Sequence, residues 1–305
     1  MSTASMRDSM TTALIALGAT AMLLMSACSS EADQVTTETP PQATSSLANE
    51  NSLQAQLLTP GTLTVAVFDD SPPGAFYTND DRLIGWEIEL VNDLAKRLGL
   101  EVTFVGGSFG SVLDAVETGS ADVGIASIFD TQERQQRVDF VNYFVGGTSW
   151  ARRAESDFTP IDPCGSRVGA VSGSAQFQDY LPRVSEQCIS SGSEPITAVP
   201  YDSLTPAVAD IATGRIDAIV ADDPVITHLA NQSFGRLSVV ETYVEAQPYG
   251  IAVAKGNSRL SEQLQSGLQS SGRDGTYADL LGRWGLEAGA VKEFTINGEG
   301  DLDVP

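Results

Sequence analysis

The sequence predicts an α/β protein built as two similar lobes, each with a mainly parallel sheet and flanking helices. The first observation is an internal repeat: residues 119–127 read GSADVGIAS and residues 214–222 read GRIDAIVAD, each after an apolar stretch with helical spacing. The second is the alternation of strand-like and helix-like segments in both halves, which favours parallel pairing. The third is the length of 305 residues, which suffices for two domains of ordinary size.

In the first half, residues 63–67 (LTVAV) alternate and predict a strand. The loop after it contains the run 72–74 (PPG), which no regular element tolerates. Residues 84–98 lead into a helix that Gly99 ends. A strand at 101–105 follows, and the helix and strand of the first repeat complete the predicted order of one lobe.

The second half has the same order of elements. Residues 167–171 (RVGAV) predict its first strand, and the Gly-Ser turn in 172–176 leads into a helix. A strand at 197–199 precedes the second repeat. Residues 249–253 (YGIAV) predict a further strand, and 260–281 is predicted to be helical. The two halves are therefore expected to form similar sheets.

Polar and aromatic residues follow the predicted strands where a parallel sheet binds its ligand, beyond the carboxyl ends of the strands. These residues are Phe68 with Asp69, Ser127, Ser174 and Asp222. Backbone N–H groups at a Gly-Ser turn can also bind an anion, although a plain helix cap explains the same turn. The sequence predicts a ligand site between the two sheets.

Arg134 and Asp222 carry opposite charges near the ends of the two repeat strands. Arg134 stands in a short helix that Asp130 or Thr131 can cap. A cation in one lobe and a carboxylate in the other suit a zwitterion held between them. The structural alternatives are a helix-end salt bridge for Arg134 and a cap before Pro224 for Asp222.

The chain is strongly acidic, with 40 acidic and 17 basic residues and a formal net charge of −23. Binding to nucleic acid or to anionic lipid needs clustered Lys and Arg, so both are disfavoured. The charge is typical of a solubilising surface on an exported protein.

The N-terminus predicts export and lipid anchoring. Residues 13–25 form an apolar core of signal-peptide length, and the small residues Ser26 and Ala27 stand directly before Cys28, as in a bacterial lipobox. Residues 1–27 are therefore predicted to be a signal peptide, with Cys28 acylated, for example by palmitate, and anchored to the cell membrane. The alternative is a chance Cys after an ordinary cleavage site. Residues 28–56 lack periodicity and predict a disordered tether.

Two further cysteines, Cys164 and Cys188, predict a disulfide, because the compartment after export is oxidising. A metal site and a catalytic nucleophile are the alternatives. Both are disfavoured, because the chain has one His, His228, and no CxxC motif. His228 is expected at the surface.

Several stretches between about residues 60 and 290 resemble the bacterial extracellular solute-binding proteins of the polar amino acid type, which supply ABC importers. The stretches are 84–90 (IGWEIEL), 122–140, 168–176, 214–222, 249–256 (YGIAVAKG) and 274–277 with 283–284. The cysteine pair and residues 287–298 are similar to a lipoprotein branch of this family. The resemblance implies a two-lobed periplasmic-binding-protein type II fold. Lobe 1 would comprise 57–146 plus 248–305, and lobe 2 would comprise 147–247.

The resemblance also implies roles for site residues. Arg134 matches the position that binds the α-carboxylate of the ligand, and Asp222 matches the position that receives the α-ammonium. Phe109 matches a wall position, and Phe129 replaces a frequent Ser or Thr, which makes the expected site more apolar. The full ligand-binding set expected is Phe68, Asp69, Phe109, Ala126, Ser127, Phe129, Arg134, Ser174 and Asp222.

The expected function is that of a substrate-binding lipoprotein of an ABC importer, which binds an amino acid or similar zwitterion and closes around it. It is expected to act as a monomer with permease subunits as partners, and without a cofactor or metal ion. An enzyme on the same fold, such as a dehydratase, would need an acid and a base, for which Asp69, Asp70 and Asp223 are available. A ligand sensor module is the third hypothesis.

Overall fold

The computed structural model describes residues 53–298. The predicted signal peptide (1–27), the predicted acylation at Cys28 and residues 28–52 of the predicted tether lie outside these residues. The tether was expected to extend to residue 56, but Leu53–Gln56 forms a turn of 3-10 helix and Leu53 packs against the core. The ordered body therefore begins by residue 53, because Leu53 and the buried Leu57 contribute to its core.

The described strands form one curled sheet of eight strands and a separate small sheet of three. The strands are β1 Thr62–Phe68, β2 Asp70–Ser71, β3 Ala75–Tyr77, β4 Leu83–Ile84, β5 Glu101–Gly107, β6 Val123–Ile125, β7 Val138–Arg153, β8 Arg167–Val171, β9 Thr197–Tyr201, β10 Ala218–Asp222 and β11 Leu237–Ala254. The large sheet has the order β5-β1-β6-β11-β7-β10-β8-β9, and the small one β2-β3-β4. The outer strands of the large sheet pair in parallel, as predicted, whereas the pairings of β7 and β11 are antiparallel.

Helices cover the sheet because their apolar faces pack on it. They are α1 Trp86–Leu98, α2 Phe109–Glu117, α3 Gln132–Gln135, α4 Leu181–Ser190, α5 Leu204–Ala212, α6 Asp223–Gln232, α7 Ser258–Asp274 and α8 Thr276–Trp284. A π-helical turn, Gln176–Tyr180, runs directly into α4. The helical region predicted at 260–281 is two helices, because Gly275 adopts a φ of 87° that ends α7.

The long strands β7 and β11 connect the two halves of the molecule. Residues 138–145 of β7 pair with 248–254 of β11, next to β6, and residues 148–153 pair with the first half of β11 and with β10. Both crossings between the halves therefore lie side by side. The fold is α/β and two-lobed, with β1, β5 and β6 in one lobe and β8, β9 and β10 in the other.

The aspartate of each repeat makes the same kind of hydrogen bond in its own lobe. The carboxylate of Asp122 accepts a hydrogen bond from the backbone N–H of Thr64 in β1 over 2.8 Å. In the other lobe, the carboxylate of Asp217 accepts one from the backbone N–H of Arg167 in β8, also over 2.8 Å. Each aspartate thus links its repeat to the first strand of its own lobe by a hydrogen bond.

The predicted disulfide is present between Cys164 and Cys188, and it ties the segment before β8 to α4. Between residues 53 and 298, no group of three or more His, Cys, Asp or Glu is placed to hold a metal ion. Within the same range, no helix is both long and apolar enough to span a bilayer.

Residues 294–297 run along the part of β7 that lies in the first lobe. The Asn142 N–H donates to the Thr295 carbonyl over 2.8 Å, and the Asn297 N–H donates to the Phe140 carbonyl over 2.9 Å. Phe294 is buried, with its ring edge-on to that of Tyr277. This C-terminal segment covers an edge of β7 that would otherwise be exposed to water.

Candidate functional site

A cavity lies between the two lobes at the carboxyl ends of their parallel strands. Phe68 ends β1, and Asp222 ends β10. The first lobe lines the cavity with Phe68, Asp70, Ser71, Pro72, Phe109, Ala126, Ser127, Phe129 and Arg134, and the second with Val171, Ser174, Ala175, Gln176, Leu204, Thr205, Ala221, Asp222, Val225 and Leu229. The wall is mostly apolar with a few charged groups, as expected of a small-molecule site.

Arg134 is held by backbone carbonyl groups and an aromatic ring. The Thr131 hydroxyl caps α3 by accepting the Arg134 backbone N–H over 3.3 Å. The guanidinium donates to the Phe129 carbonyl over 3.0 Å and to the Gly173 carbonyl of the other lobe over 3.5 Å. Its carbon atom lies 5.6 Å from the centre of the Phe109 ring. Burial lowers the pKa of Arg134, but a guanidinium stays protonated and has five N–H donors, so it can also bind a carboxylate.

Asp222 stands at the last position of β10, where α6 begins. Its Oδ1 atom accepts a hydrogen bond from the Gln176 side-chain amide over 2.7 Å. Burial raises the pKa of Asp222 to about 7, although the Gln176 hydrogen bond and the charge of Arg134 favour the ionised form. A cationic group bound in the cavity would stabilise the carboxylate further.

Ser127 is fixed by a buried carboxylate beneath it. Its φ of 50° is unusual for a residue with a side chain. Glu87, which is only 2% exposed, accepts hydrogen bonds from the Ser127 N–H over 2.6 Å and from its hydroxyl over 3.0 Å. The Tyr143 hydroxyl donates to the same oxygen of Glu87. Burial raises the pKa of Glu87, and these hydrogen bonds oppose that rise.

Ser174 and Phe109 line the cavity at two other helix starts. The Ser174 hydroxyl accepts the Phe177 N–H over 3.2 Å, so it caps the turn that leads into α4. The Phe109 ring, at the start of α2, lies edge-on to that of Phe68 at 6.1 Å. Phe129 packs against Tyr249, with ring centres 5.3 Å apart.

The structure brings eight of the nine predicted site residues to the cavity, and Asp69 is the exception. Asp69 follows the cavity-lining Phe68, and alternating side chains point to opposite faces. Its carboxylate lies against β5, where a Cβ atom on Gly106 would be 1.9 Å from its Oδ2 atom. Asp70 lines the cavity in its place and accepts a hydrogen bond from the Thr205 hydroxyl of the other lobe over 3.2 Å.

Sequence reasoning missed Glu87, Gln176 and Thr205, and it named Asp70 only as a carboxylate for the enzyme alternative. A signal existed for Glu87, because it stands between Trp86 and Ile88 in the buried first turn of α1. None was evident for Gln176. His228 was expected at the surface, but it is half-buried, with its ring 6.1 Å from that of Phe76, and burial lowers its pKa.

Comparison with known proteins identifies the family. Residues 63–287 match the family model described as bacterial extracellular solute-binding proteins, family 3. The chain belongs to this family. Its role is that of a substrate-binding protein, in a family whose members act outside the cytoplasm. The interlobe cavity is thus the candidate solute site.

The relatives of this solute-binding protein include the arginine-binding protein ArgT of Corynebacterium glutamicum, which is 34% identical over 241 residues that cover 78% of each chain. An ancestral arginine-binding protein bound to arginine has a similar structure, with a TM-score of 0.66, 31% identity and coverage of 73% of this chain and 98% of that one. A third similar structure is the ancestral amino acid-binding protein AncCDT-1, a precursor of cyclohexadienyl dehydratase, with a TM-score of 0.63, 26% identity and coverage of 73% and 95%.

Proposed function

We propose that this solute-binding protein binds an α-amino acid between Arg134 and Asp222 and delivers it to an ABC permease. One observation carries the proposal: a guanidinium from one lobe and a carboxylate from the other line the same cavity. Arg134 would bind the ligand carboxylate through charge-assisted hydrogen bonds, and Asp222 would receive the ammonium. Each ligand charge then meets an opposite charge, which makes its burial tolerable.

We also propose that the ligand stabilises closure of the lobes, with limits at 57–146 plus 248–305 for lobe 1 and 147–247 for lobe 2. Contacts across the cleft support this proposal, since Thr205 donates to Asp70 and Arg134 donates to the Gly173 carbonyl. The two long strands would form the hinge. A zwitterion held by both lobes binds the closed form better, and this difference in affinity shifts the equilibrium towards closure.

The ligand class that we propose is a cationic amino acid, with L-arginine as the first candidate. The names of the relatives support this choice, and so does the charge of the lining. Arg134, Asp70 and Asp222 carry one positive and two negative charges when ionised. An α-amino acid with a positive side chain would complete the neutralisation, with its cationic end towards Asp70. The Phe68 and Phe109 rings would contact the aliphatic part of that side chain.

Isothermal titration calorimetry with L-arginine, L-glutamine and L-cystine tests the proposal. We expect L-arginine to bind most tightly. Arg134→Ala and Asp222→Asn should each weaken binding by at least about 30-fold, because each leaves a buried ligand charge without its partner. Arg137→Ala is the matched control, since Arg137 pairs with Asp114 and Glu117 outside the cavity. If both site variants bound all ligands like the wild type, the proposed site would be wrong.

We further propose that Cys28 is acylated, that the lipid is the protein's only contact with the membrane, and that the protein is a monomer. Support comes from the signal-like segment and the small residues before Cys28. A Cys28→Ala variant should lose incorporation of a palmitate analogue and should leave the membrane fraction. Unchanged labelling of this variant would contradict the proposal. Light scattering of the protein without its lipid should give the mass of a single chain, as expected of a monomer.

We propose binding without turnover. The dehydratase alternative has one specific observation in its favour, because a carboxylate with a pKa of about 7, such as Asp222, suits acid–base catalysis. The names of the relatives favour binding. Mass spectrometry of ligand recovered after long incubation should detect only the unchanged amino acid. A product in the wild type that disappears in Asp222→Asn would favour the enzyme.

A further inference from the structure

Tyr249 is a fully buried tyrosine of β11 at the crossing between the lobes. Its exposed fraction is 0%, and its ring is stacked on that of Phe144 at 5.4 Å. The hydroxyl forms no hydrogen bond of normal geometry with any residue in the range 53–298. A buried hydroxyl without a partner costs stability, so its presence at the candidate site calls for a functional reason.

The position of the hydroxyl follows from the neighbouring strand. A Cβ atom on Gly146 would lie 2.0 Å from the Tyr249 hydroxyl oxygen, so this oxygen occupies the side-chain space of residue 146. Residues 146 and 148 are two apart in β7, and their side chains share one face of the sheet. Thr148 is paired with Asp222 of β10. The Tyr249 hydroxyl therefore lies on the sheet face that carries the Asp222 carboxylate.

The hydrogen bond from Gln176 reaches only one of the two oxygens of the Asp222 carboxylate. Gln176 donates to Oδ1 and also donates to the Thr148 hydroxyl over 3.1 Å, which fixes the amide. The raised pKa of Asp222 comes mainly from burial, and the nearby Tyr249 hydroxyl opposes it, as Arg134 does. A donor on the second oxygen would hold the carboxylate plane in one orientation.

We propose that Tyr249 is a positioning residue whose hydroxyl donates to the second oxygen of the Asp222 carboxylate and orients it towards the ligand ammonium. The proposal rests on the proposed function, since it takes Asp222 as the ammonium acceptor. Tyr249 itself does not line the cavity and acts through Asp222. This role gives the buried hydroxyl a function, because a donor to the Asp222 carboxylate favours the ionised form that binds a cationic group.

Tyr249→Phe tests the proposal, with Tyr277→Phe as the matched control. Tyr277 is also buried, but its hydroxyl donates to the Tyr143 carbonyl over 2.7 Å. We expect Tyr249→Phe to weaken L-arginine binding about tenfold, the usual effect of a hydrogen bond to a charged group. Its melting temperature at pH 5 should fall little, because Asp222, whose pKa is about 7, is mostly neutral there and the hydrogen bond is made to the ionised carboxylate. Tyr277→Phe should lower the melting temperature and leave the affinity unchanged.

A second measurement does not depend on the ligand. Carbon-13 NMR of the side-chain carboxyl of Asp222, followed over pH, should give a higher pKa in Tyr249→Phe than in the wild type, because a donor to the charged form is missing. The other ionisable groups near Asp222 are Arg134, Glu87 and Tyr143, and all remain in this variant. An unchanged pKa would overturn the inference.

The two proposals fail in distinguishable ways. If Asp222→Asn weakens L-arginine binding and Tyr249→Phe does not, the proposed function stands and the role of Tyr249 is wrong. If Asp222→Asn binds as the wild type does, or the wild type binds none of the twenty amino acids, the proposed function fails and the inference fails with it. In the double variant, the effect of Tyr249→Phe should vanish, because its target is gone.

Discussion

The backbone N–H of Ser127 donates to the Oε1 atom of Glu87 over 2.6 Å. The same oxygen accepts the hydroxyl groups of Ser127 and Tyr143, so one buried carboxylate joins α1, the end of the first repeat and β7. Ser127 keeps a left-handed backbone because of this anchor. These hydrogen bonds lie within the first lobe. Because Ser127 lines the cavity, they fix part of the cavity wall.

Glu87→Ala should therefore destabilise the protein strongly. The buried hydroxyl of Tyr143 and the two partly buried donors of Ser127 lose their acceptor, and an unsatisfied buried group costs about 1–3 kcal/mol. We expect the free energy of unfolding in urea to fall by about 3 kcal/mol or more. Glu89→Ala is the control, since Glu89 pairs with Arg283 at the exposed surface and such pairs contribute about 1 kcal/mol at most. Equal losses in the two variants would contradict this account of Glu87.

Ligand affinity should rise with pH through the range around 7. The pKa of Asp222 is about 7 in the folded protein, so half of the carboxylate is neutral at that pH. Because folding raises this pKa, the stability that Asp222 contributes at low pH is lost as pH rises from about 4 to about 7. A bound ammonium offsets that loss and releases a proton. Calorimetry at pH 6 in two buffers of different ionisation enthalpy should detect this proton, and Asp222→Asn should abolish it.

The charge of Asp70 should select the cationic ligand. Asp70→Asn should weaken L-arginine binding about tenfold and change L-glutamine binding little, because only the first ligand has a second cation for this carboxylate. Asp69→Asn is a matched control from the adjacent position, since Asp69 lies against Gly106 outside the cavity. An equal effect of Asp70→Asn on both ligands would argue against a cationic side chain at this end of the cavity.

The disulfide should stabilise the second lobe without contributing to binding. Its cysteines are 24 residues apart, and closing a loop of this size contributes about 3 kcal/mol in the chain-entropy model. The double variant Cys164→Ser with Cys188→Ser should melt at a lower temperature and should bind L-arginine normally at 25 °C, because neither cysteine lines the cavity. A large loss of affinity in the folded variant would contradict this separation.

Local patterns predicted the two-lobed fold and the charged pair of the cavity, because strand ends, glycine stops and charges are encoded over a few residues. The repeat placed Ser127 and Asp222 at strand ends, and both line the cavity. Alternation along β1 could also have corrected the choice of Asp69, since Phe68 and Asp70 share one side of the chain. Asp69 was chosen because it directly follows the end of β1, although the alternation favours Asp70.

The long crossing strands were harder to predict. Residues 138–153 are buried almost throughout, so they have no alternating polar face, and the glycine pair 146–147 suggests a break. Only 249–253 of β11 was predicted, because its register against β7 shifts repeatedly between 239 and 250. The contact of Thr205 with Asp70 depends on how the lobes meet, and Gln176 contacts Asp222 of its own lobe from 46 residues away, so no local pattern encodes either contact.

The C-terminal segment at 294–297, paired with β7 in the first lobe, has a consequence for biogenesis. The lobe that begins with β1 obtains the second half of β11, α7, α8 and this segment from the part of the chain that follows the second lobe. A chain that emerges N-terminus first cannot complete this lobe until residues 294–297 have emerged. The lobe that carries β8, β9 and β10 needs no residue beyond the first half of β11. It can consolidate earlier and offer a partly built surface on which the other lobe is finished.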